Sequence, residues 1–419
     1  MNQIDPGALH HASTSHHSPA HPRSLRNLLL RHPAWTVAGV LLLGLNMRPA
    51  LTSIAPFLGV IRTDLGMPGY AASLLTTTPV VCLGLFAPLA PRLSRNFGTE
   101  AVLLACLLGI AVGVLTRSFG LVPLFIGTII IGASMSILGV LSPVVIKRDF
   151  QRRAGTMMGL YAMLISLGAA LSTASAAPLR QSVGGSWRMA LLAWALPALV
   201  AAVVFIPQLF RTNQANGTAR SHAAGVMRDP LAWQVTGFFA LVAALAYAVF
   251  SWGPSMLQGR GLDPTSSGLI MSLSYIAQMV TGLATPIIAG KLRDQRLLAV
   301  LMVLLTGAGL LGFIFAPVWS LVFFAIVLGL GQGGGFGLAL SLIMLRSANP
   351  HVAAQLSGLT QSVGYIVGGL IGPLAVGMIH DWSGGWAAVS VFYVLVGIVT
   401  LVLGLGAGRA RTVAAGANK

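Results

Sequence analysis

The sequence predicts an all-α membrane protein of twelve transmembrane helices, built as two six-helix halves related by a parallel repeat. Composition, the spacing of apolar runs and an internal repeat carry that prediction. Of 419 residues, 56% are hydrophobic and only 8% are charged, and the mean hydropathy is +0.84. A soluble domain carries about 25% charged residues, so a soluble enzyme of this composition is excluded. A membrane-spanning helix takes about 20 residues, and twelve of them with short loops use nearly the whole chain.

Apolar runs bounded by Gly, Pro or charged breaks fall at 34–61, 70–91, 99–117, 121–146, 155–178, 187–209, 231–256, 265–290, 297–316, 318–345, 355–378 and 386–407. Long polar stretches occur only at the start and near the middle. The chain therefore divides into a cytoplasmic tail (1–33), a first six-helix half (34–209), a cytoplasmic linker (210–230), a second half (231–408) and a second tail (409–419). The first tail holds His10, His11, His16, His17 and His21 among Ser, Pro and Ala, and is read as disordered rather than metal-binding. The first span is long and contains an arginine, unlike a cleaved signal peptide.

The net charge of +17 has a topological origin. With the N-terminus inside, nineteen of the 25 Lys and Arg fall in cytoplasmic segments and five, Arg117 among them, on the opposite side. That bias is the one membrane insertion produces, so nucleic acid is not needed to explain it. Cys82 and Cys106 lie in apolar runs and read as buried thiols.

The repeat has one constant offset of 199 positions. Gly185-Ser186-Trp187 opens the sixth span and Gly384-Gly385-Trp386 the twelfth. Ala90-Pro91-Arg92-Leu93 closes the second span and Ala289-Gly290-Lys291-Leu292 the eighth. Gly159 pairs with Gly358, and Gly132 with Gly331. Six spans separate the copies, so both halves keep the same orientation, and a binding site is expected at their interface near mid-membrane.

Arg48 is the most informative residue. It lies in Leu45-Asn46-Met47-Arg48-Pro49-Ala50 with mostly apolar sequence on either side. At about 1.5 Å per residue, this places it near the membrane centre. A guanidinium keeps its charge, and burial there costs at least about 2.5–3.5 kcal/mol, so it must face a wet cavity or a partner. None of the eight carboxylates qualifies. Asp5 is in the tail, Asp64, Asp263 and Asp381 are in outer loops, and Glu100, Asp149, Asp229 and Asp294 are at inner ends. A bound anion would supply the missing charge. The nine histidines also avoid the span interiors, which argues against a carboxylate- or histidine-based proton relay at mid-depth.

The offset sets Tyr247 opposite Arg48, and the stretch from Tyr247 to Trp252-Gly253-Pro254 offers an aromatic wall on which a planar ligand can stack. Asn46, Thr52, Ser134, Ser136, Tyr161, Tyr275, Gln278, Gln332, Gln361 and Tyr365 are further polar groups inside spans, serving either the site or interhelical contact. Gln361 and Tyr365 share a helix face. No Walker-type phosphate loop, metal-ligand cluster or Ser/Cys-His arrangement is visible, so neither an enzyme nor a cofactor or metal is expected.

Several segments together resemble the cyanate and nitroimidazole transporter family of the major facilitator superfamily. They are Asn46-Met47-Arg48-Pro49-Ala50-Leu51-Thr52-Ser53, Leu75-Thr76-Thr77-Thr78-Pro79, Gly84-Leu85-Phe86-Ala87-Pro88-Leu89-Ala90-Pro91, Gly331-Gln332-Gly333, Gln361-Ser362-Val363-Gly364-Tyr365 and His380-Asp381-Trp382-Ser383-Gly384-Gly385-Trp386. The resemblance implies a bacterial inner-membrane carrier working by alternating access, with spans one, four, seven and ten lining the cavity. The superfamily's inner-loop signature, Gly-x-Leu-Ala-Asp-Arg-x-Gly-Arg-Arg, here has Pro91 in place of the acid but keeps Arg92 and Arg95. The second copy has Arg293 and Asp294, and gating is expected at these four residues.

The expected substrate is a small anion (cyanate-like) or small planar organic acid. Arg48 would be its main ligand, with Asn46, Thr52, Tyr247, Trp252, Gln332, Gln361 and Tyr365 around it. The alternative is export of neutral heteroaromatic compounds such as 2-nitroimidazole. A monomer in the lipid bilayer is expected, with both termini cytoplasmic.

Overall fold

The computed structural model describes residues 33–150, 153–210 and 226–413. The tail expected at 1–33 and most of the linker expected at 210–230 lie outside the described residues, as does the end of the second tail. Twelve helical spans are long and apolar enough to cross a membrane: α1 (Trp35–Asp64), α2 (Gly69–Phe97), α3 (Thr99–Phe119), α4 (Leu121–Asp149), α5 (Thr156–Ser182), α6 (Trp187–Leu209), α7 (Pro230–Gln258), α8 (Pro264–Lys291), α9 (Arg296–Phe315), α10 (Val318–Leu345), α11 (Val352–Ser383) and α12 (Trp386–Ala407). No β-strand occurs among the described residues. In hydrocarbon only helices or closed barrels satisfy every backbone polar group, and these runs are too long and too uniformly apolar for strands.

Helix ends follow from local chemistry. Asp229 opens α7 by accepting from Leu231 N at 2.8 Å, and Asp263 opens α8 by accepting from Thr265 N at 2.8 Å. In both, a proline follows at the first helical position, where its missing N–H costs nothing. Gly98, at φ +84, ends α2 and starts α3 within one residue, a backbone angle that glycine adopts without strain.

Two spans run longer than their apolar stretches. Near the end of its apolar run α2 passes through a 3₁₀ turn at Ala87–Leu89, and it continues beyond residue 91 in an amphipathic segment, Ala90–Phe97. Its charged side chains leave the apolar pattern but not the helix. The span α11 reaches Ser383 and absorbs Pro373 in a π turn, Leu370–Leu374, since a proline inside a helix forfeits one ladder bond.

Successive spans alternate direction, so one face carries residue 33 and residue 407 (the terminal face) and the other carries the α1–α2 and α7–α8 loops (the distal face). The first six spans meet the last six along α2 with α11 and α5 with α8. Glycines make these approaches possible: Gly84 backs onto the carbonyl of Ser362, and Gly268 onto that of Thr173. Small residues of this kind let helices pack where hydrophobicity supplies no driving force. Of the apolar stretch of α7, 94% is buried, against 33% in α6 and in α12. Thus α7 is a central helix, whereas α6 and α12 face lipid.

Candidate functional site

The backbone of α1 is broken where Arg48 sits. The helix Pro33–Asn46 stops, Met47 and Arg48 form a turn, and a short helix follows over Pro49–Thr52. Pro49 has no N–H to give to Leu45, and its ring crowds that carbonyl. Gly168 of α5 packs against the Leu45 carbonyl and the Pro49 ring, so a side chain at 168 would collide with the break. A second turn at Ser53–Ile54 and a 3₁₀ turn at Ala55–Phe57 around Pro56 follow before the helix resumes at Leu58–Asp64. Arg48 therefore projects from a non-helical joint.

Its guanidinium lies 4.5 Å from the centroid of the Phe250 ring on α7. Arg48 is half-buried, and its guanidinium makes no hydrogen bond or ion pair with a described residue. Aromatic side chains continue outward from that contact. Phe250 meets Tyr247 at 5.6 Å between ring centroids and Tyr275 of α8 at 5.2 Å; Tyr247 meets Tyr365 of α11 at 6.0 Å. One cation thus faces a wall of four rings drawn from three helices of the second half. Cation–π contact stabilises such a charge by about 0.5–2 kcal/mol and leaves the guanidinium N–H groups free to donate.

The other residues expected at the site have diverse surroundings. Tyr247 and Tyr365 stand in the wall, and Gln361, half-buried one turn from Tyr365, donates to Ser357 Oγ at 2.7 Å. Asn46 donates to the carbonyls of Leu42 at 2.9 Å and Pro197 at 3.3 Å, fastening α1 to α6. Thr52 is buried at 2.6 Å from Ser172 of α5. Gln332 donates to the carbonyl of Leu245 at 3.2 Å and accepts from Gln278 at 3.2 Å, tying α10 to α7 and α8. Trp252 lies nearer the distal face, where its Nε1 donates to the carbonyl of Pro373 at 2.9 Å. The structure thus brings Arg48, Tyr247 and Tyr365 together, with Phe250 and Tyr275 from α7 and α8 completing the group. Phe250 was not singled out from sequence, although it lies one turn from Tyr247 on the same helix face.

Charged contacts differ between the two faces. On the terminal face Arg92, Arg95, Arg293 and Asp294 are exposed, and Asp294 pairs locally with Arg296 at 3.5 Å. Arg148 of α4 pairs with Glu100 of α3 at 2.6 Å and with Asp149 at 2.7 Å, a cluster within the first half. On the distal face an ion pair crosses between the halves: Arg62 of α1 and Asp381 of α11, at 3.4 Å. There Gly377 packs against Ser73 and Trp252. Arg117, the last residue of the third span and counted with the outer side, turns inward from the end of α3 and is 1% exposed.

The family model of the Major Facilitator Superfamily matches residues 35–373. The chain is 35% identical over 380 residues to the 2-nitroimidazole transporter of Escherichia coli (strain K12), covering 89% of this chain and 95% of that one. It is 33% identical over 370 residues to the cyanate transport protein CynX of the same organism, covering 87% and 95%. Its fold is similar to the crystal structure of the nucleoside transporter NupG, with a TM-score of 0.70 at 14% identity, over 88% of this chain and 98% of that one. With twelve apolar helices in the matching fold and relatives that are transporters over nearly their whole length, the chain belongs to the major facilitator superfamily, alongside the cyanate and 2-nitroimidazole transporters, and is a multi-pass membrane transporter of small molecules.

Proposed function

We propose that the protein carries a small anion, cyanate-like or a small planar organic acid, by alternating access, with Arg48 as its principal ligand. The observation that supports this reading most is the state of that guanidinium. It is half-buried at a break in α1, lies over the face of Phe250, and has no carboxylate or hydrogen-bond partner among the described residues. A bound anion would neutralise it and accept from its planar N–H fork in the bidentate manner that guanidinium favours. Tyr247, Tyr275 and Tyr365 would bound the ligand laterally, with Gln361 at the edge.

The aromatic wall supports a second reading: a neutral heteroaromatic compound, such as the nitroimidazole named for one relative, would stack there and accept through its nitro group. The terminal face is assigned to the cytoplasm, because basic residues concentrate on that side.

Thermal unfolding of the purified protein separates the two readings. The panel holds small anions, planar organic acids and neutral nitroheterocycles, with wild type beside Arg48→Gln, since a ligand that binds the folded state raises its apparent stability. Stabilisation by anions in the wild type and its loss in Arg48→Gln is the expected result. Stabilisation by neutral heterocycles that survives Arg48→Gln would overturn the anion reading.

A further inference from the structure

A second guanidinium in this protein is buried more deeply than Arg48. Arg117, at the distal end of α3, is 1% exposed. It is accommodated because α3 and α4 approach closely: Gly127 faces the carbonyl of Gly113 and the stem of Arg117, and a side chain at 127 would displace both. Nε donates to Thr128 Oγ1 at 3.1 Å, and that hydroxyl passes its own proton to the carbonyl of Leu124 at 2.7 Å. Nη1 donates to the carbonyl of Ala50, in the short helix that follows Arg48. Nη2 is buried with no partner, and no carboxylate pairs with this residue among the described residues.

Beside Arg117 lies a small cavity of about 10 Å³, lined by Leu51, Ala55, Thr76, Pro79 and, from the second half, Ser251. Such a space admits a single small guest. Its polar lining is unbalanced. Thr76 spends its proton on the carbonyl of Ser73 at 3.0 Å, whereas Ser251 of α7, 5% exposed, makes no hydrogen bond with a described residue. The lining thus holds one hydroxyl without a partner, Ser251, and the Thr76 oxygen as an acceptor, beside a guanidinium whose Nη2 is buried and unpartnered. A full charge in an apolar interior needs a partner, and a small anion is the guest that supplies the opposite charge to Arg117.

We propose that this cavity is a second anion site, distinct from Arg48, which takes one halide-sized ion beside Arg117 and Ser251. The ion would neutralise Arg117 while α7 lies against α1 and α2. Because Ser251 belongs to the opposite half, the site is complete only while the halves are together near the distal face. A halide should therefore stabilise that arrangement.

The test compares thermal unfolding of the purified full-length protein in bromide, chloride and gluconate salts at equal ionic strength. Wild type, Arg48→Gln and Ser251→Val would be measured, Ser251→Val filling the cavity without touching the guanidinium. Saturable stabilisation by bromide and chloride over gluconate is expected in wild type and in Arg48→Gln, with loss in Ser251→Val. Retention in Arg48→Gln separates this site from the substrate site, so failure of either reading leaves the other standing. Crystals grown in bromide should show an anomalous peak within hydrogen-bond distance of Arg117 Nη2. Equal melting in all three salts, halide stabilisation that survives Ser251→Val, or a water alone at that position would each overturn the proposal.

Discussion

Arg62 Nη1 lies 3.4 Å from Asp381 Oδ1, and this ion pair joins the first half of the protein to the second at the distal face. Both side chains are partly exposed, at 34% and 25%, so the pair contributes no more than about 0.2–1 kcal/mol. In the alternating-access cycle proposed above, an energy of that size suits a latch that opens at each turn. Gly69 sits directly against the Asp381 carboxylate, so the latch depends on a missing side chain as well as on charge.

Neutralising the latch should release the distal face. Asp381→Asn is expected to raise the labelling of a cysteine introduced at Ser73 by a membrane-impermeant maleimide, by up to about fivefold given the energy above. The exchanged pair, Arg62→Asp with Asp381→Arg, should return labelling toward the parent value. Unchanged labelling in Asp381→Asn would remove the ion pair from the gate.

Phe250→Leu keeps apolar volume but removes the ring beneath Arg48. Loss of a cation–π contact of about 0.5–2 kcal/mol should weaken ligand binding about 2- to 30-fold, read by calorimetric titration, with little change in melting temperature. An unaltered affinity would place the ligand away from that face of the guanidinium.

Arg48→Lys tests geometry against charge. Lysine keeps the positive charge but not the planar fork. If the ligand is held bidentately, Arg48→Lys should bind anions more weakly than wild type and more strongly than Arg48→Gln in the same titration. Equal binding by Lys and Arg would reduce the residue to a point charge.

Gly84→Ala places a methyl group against the carbonyl of Ser362, where α2 meets α11. Overpacking of this kind costs about 1–3 kcal/mol, so a clear fall in melting temperature is expected. Gly290→Ala, whose added methyl would meet nothing, serves as the control and should melt like the wild type.

Much of this organisation was legible in the chain itself. Helix number and position follow from the length of apolar runs, because a bilayer fixes the span length and demands internally satisfied backbone. The break in α1 could be anticipated at Pro49. Arg48 stood out because an arginine amid apolar sequence must be compensated. The offset of 199 pointed from Arg48 to Tyr247, one turn from Phe250, on which the guanidinium in fact lies.

Other features depend on which helix faces lie against one another, and apolar runs in a membrane carry little record of that. Spans α6, α7 and α12 look alike as sequence, yet only α7 is buried nearly all round, because helices facing lipid and helices facing protein use the same side chains. Gln332 and Gln361 were alike as amides in spans; tertiary packing set the first between α7 and α8 and left the second half-buried near Tyr365. Arg117 reads as the outer end of the third span, and only the Gly113–Gly127 approach buries its side chain. The pairing of Arg62 with Asp381, more than three hundred residues apart, likewise follows from α11 packing against α2, which brings Asp381 to the distal end of α1. Sequence alone determined the spans, their number and the uncompensated charge, since these reflect local chemistry against the bilayer. Tertiary structure decided which rings lie beside Arg48 and which charges pair across the two halves, since these depend on contacts between distant helices.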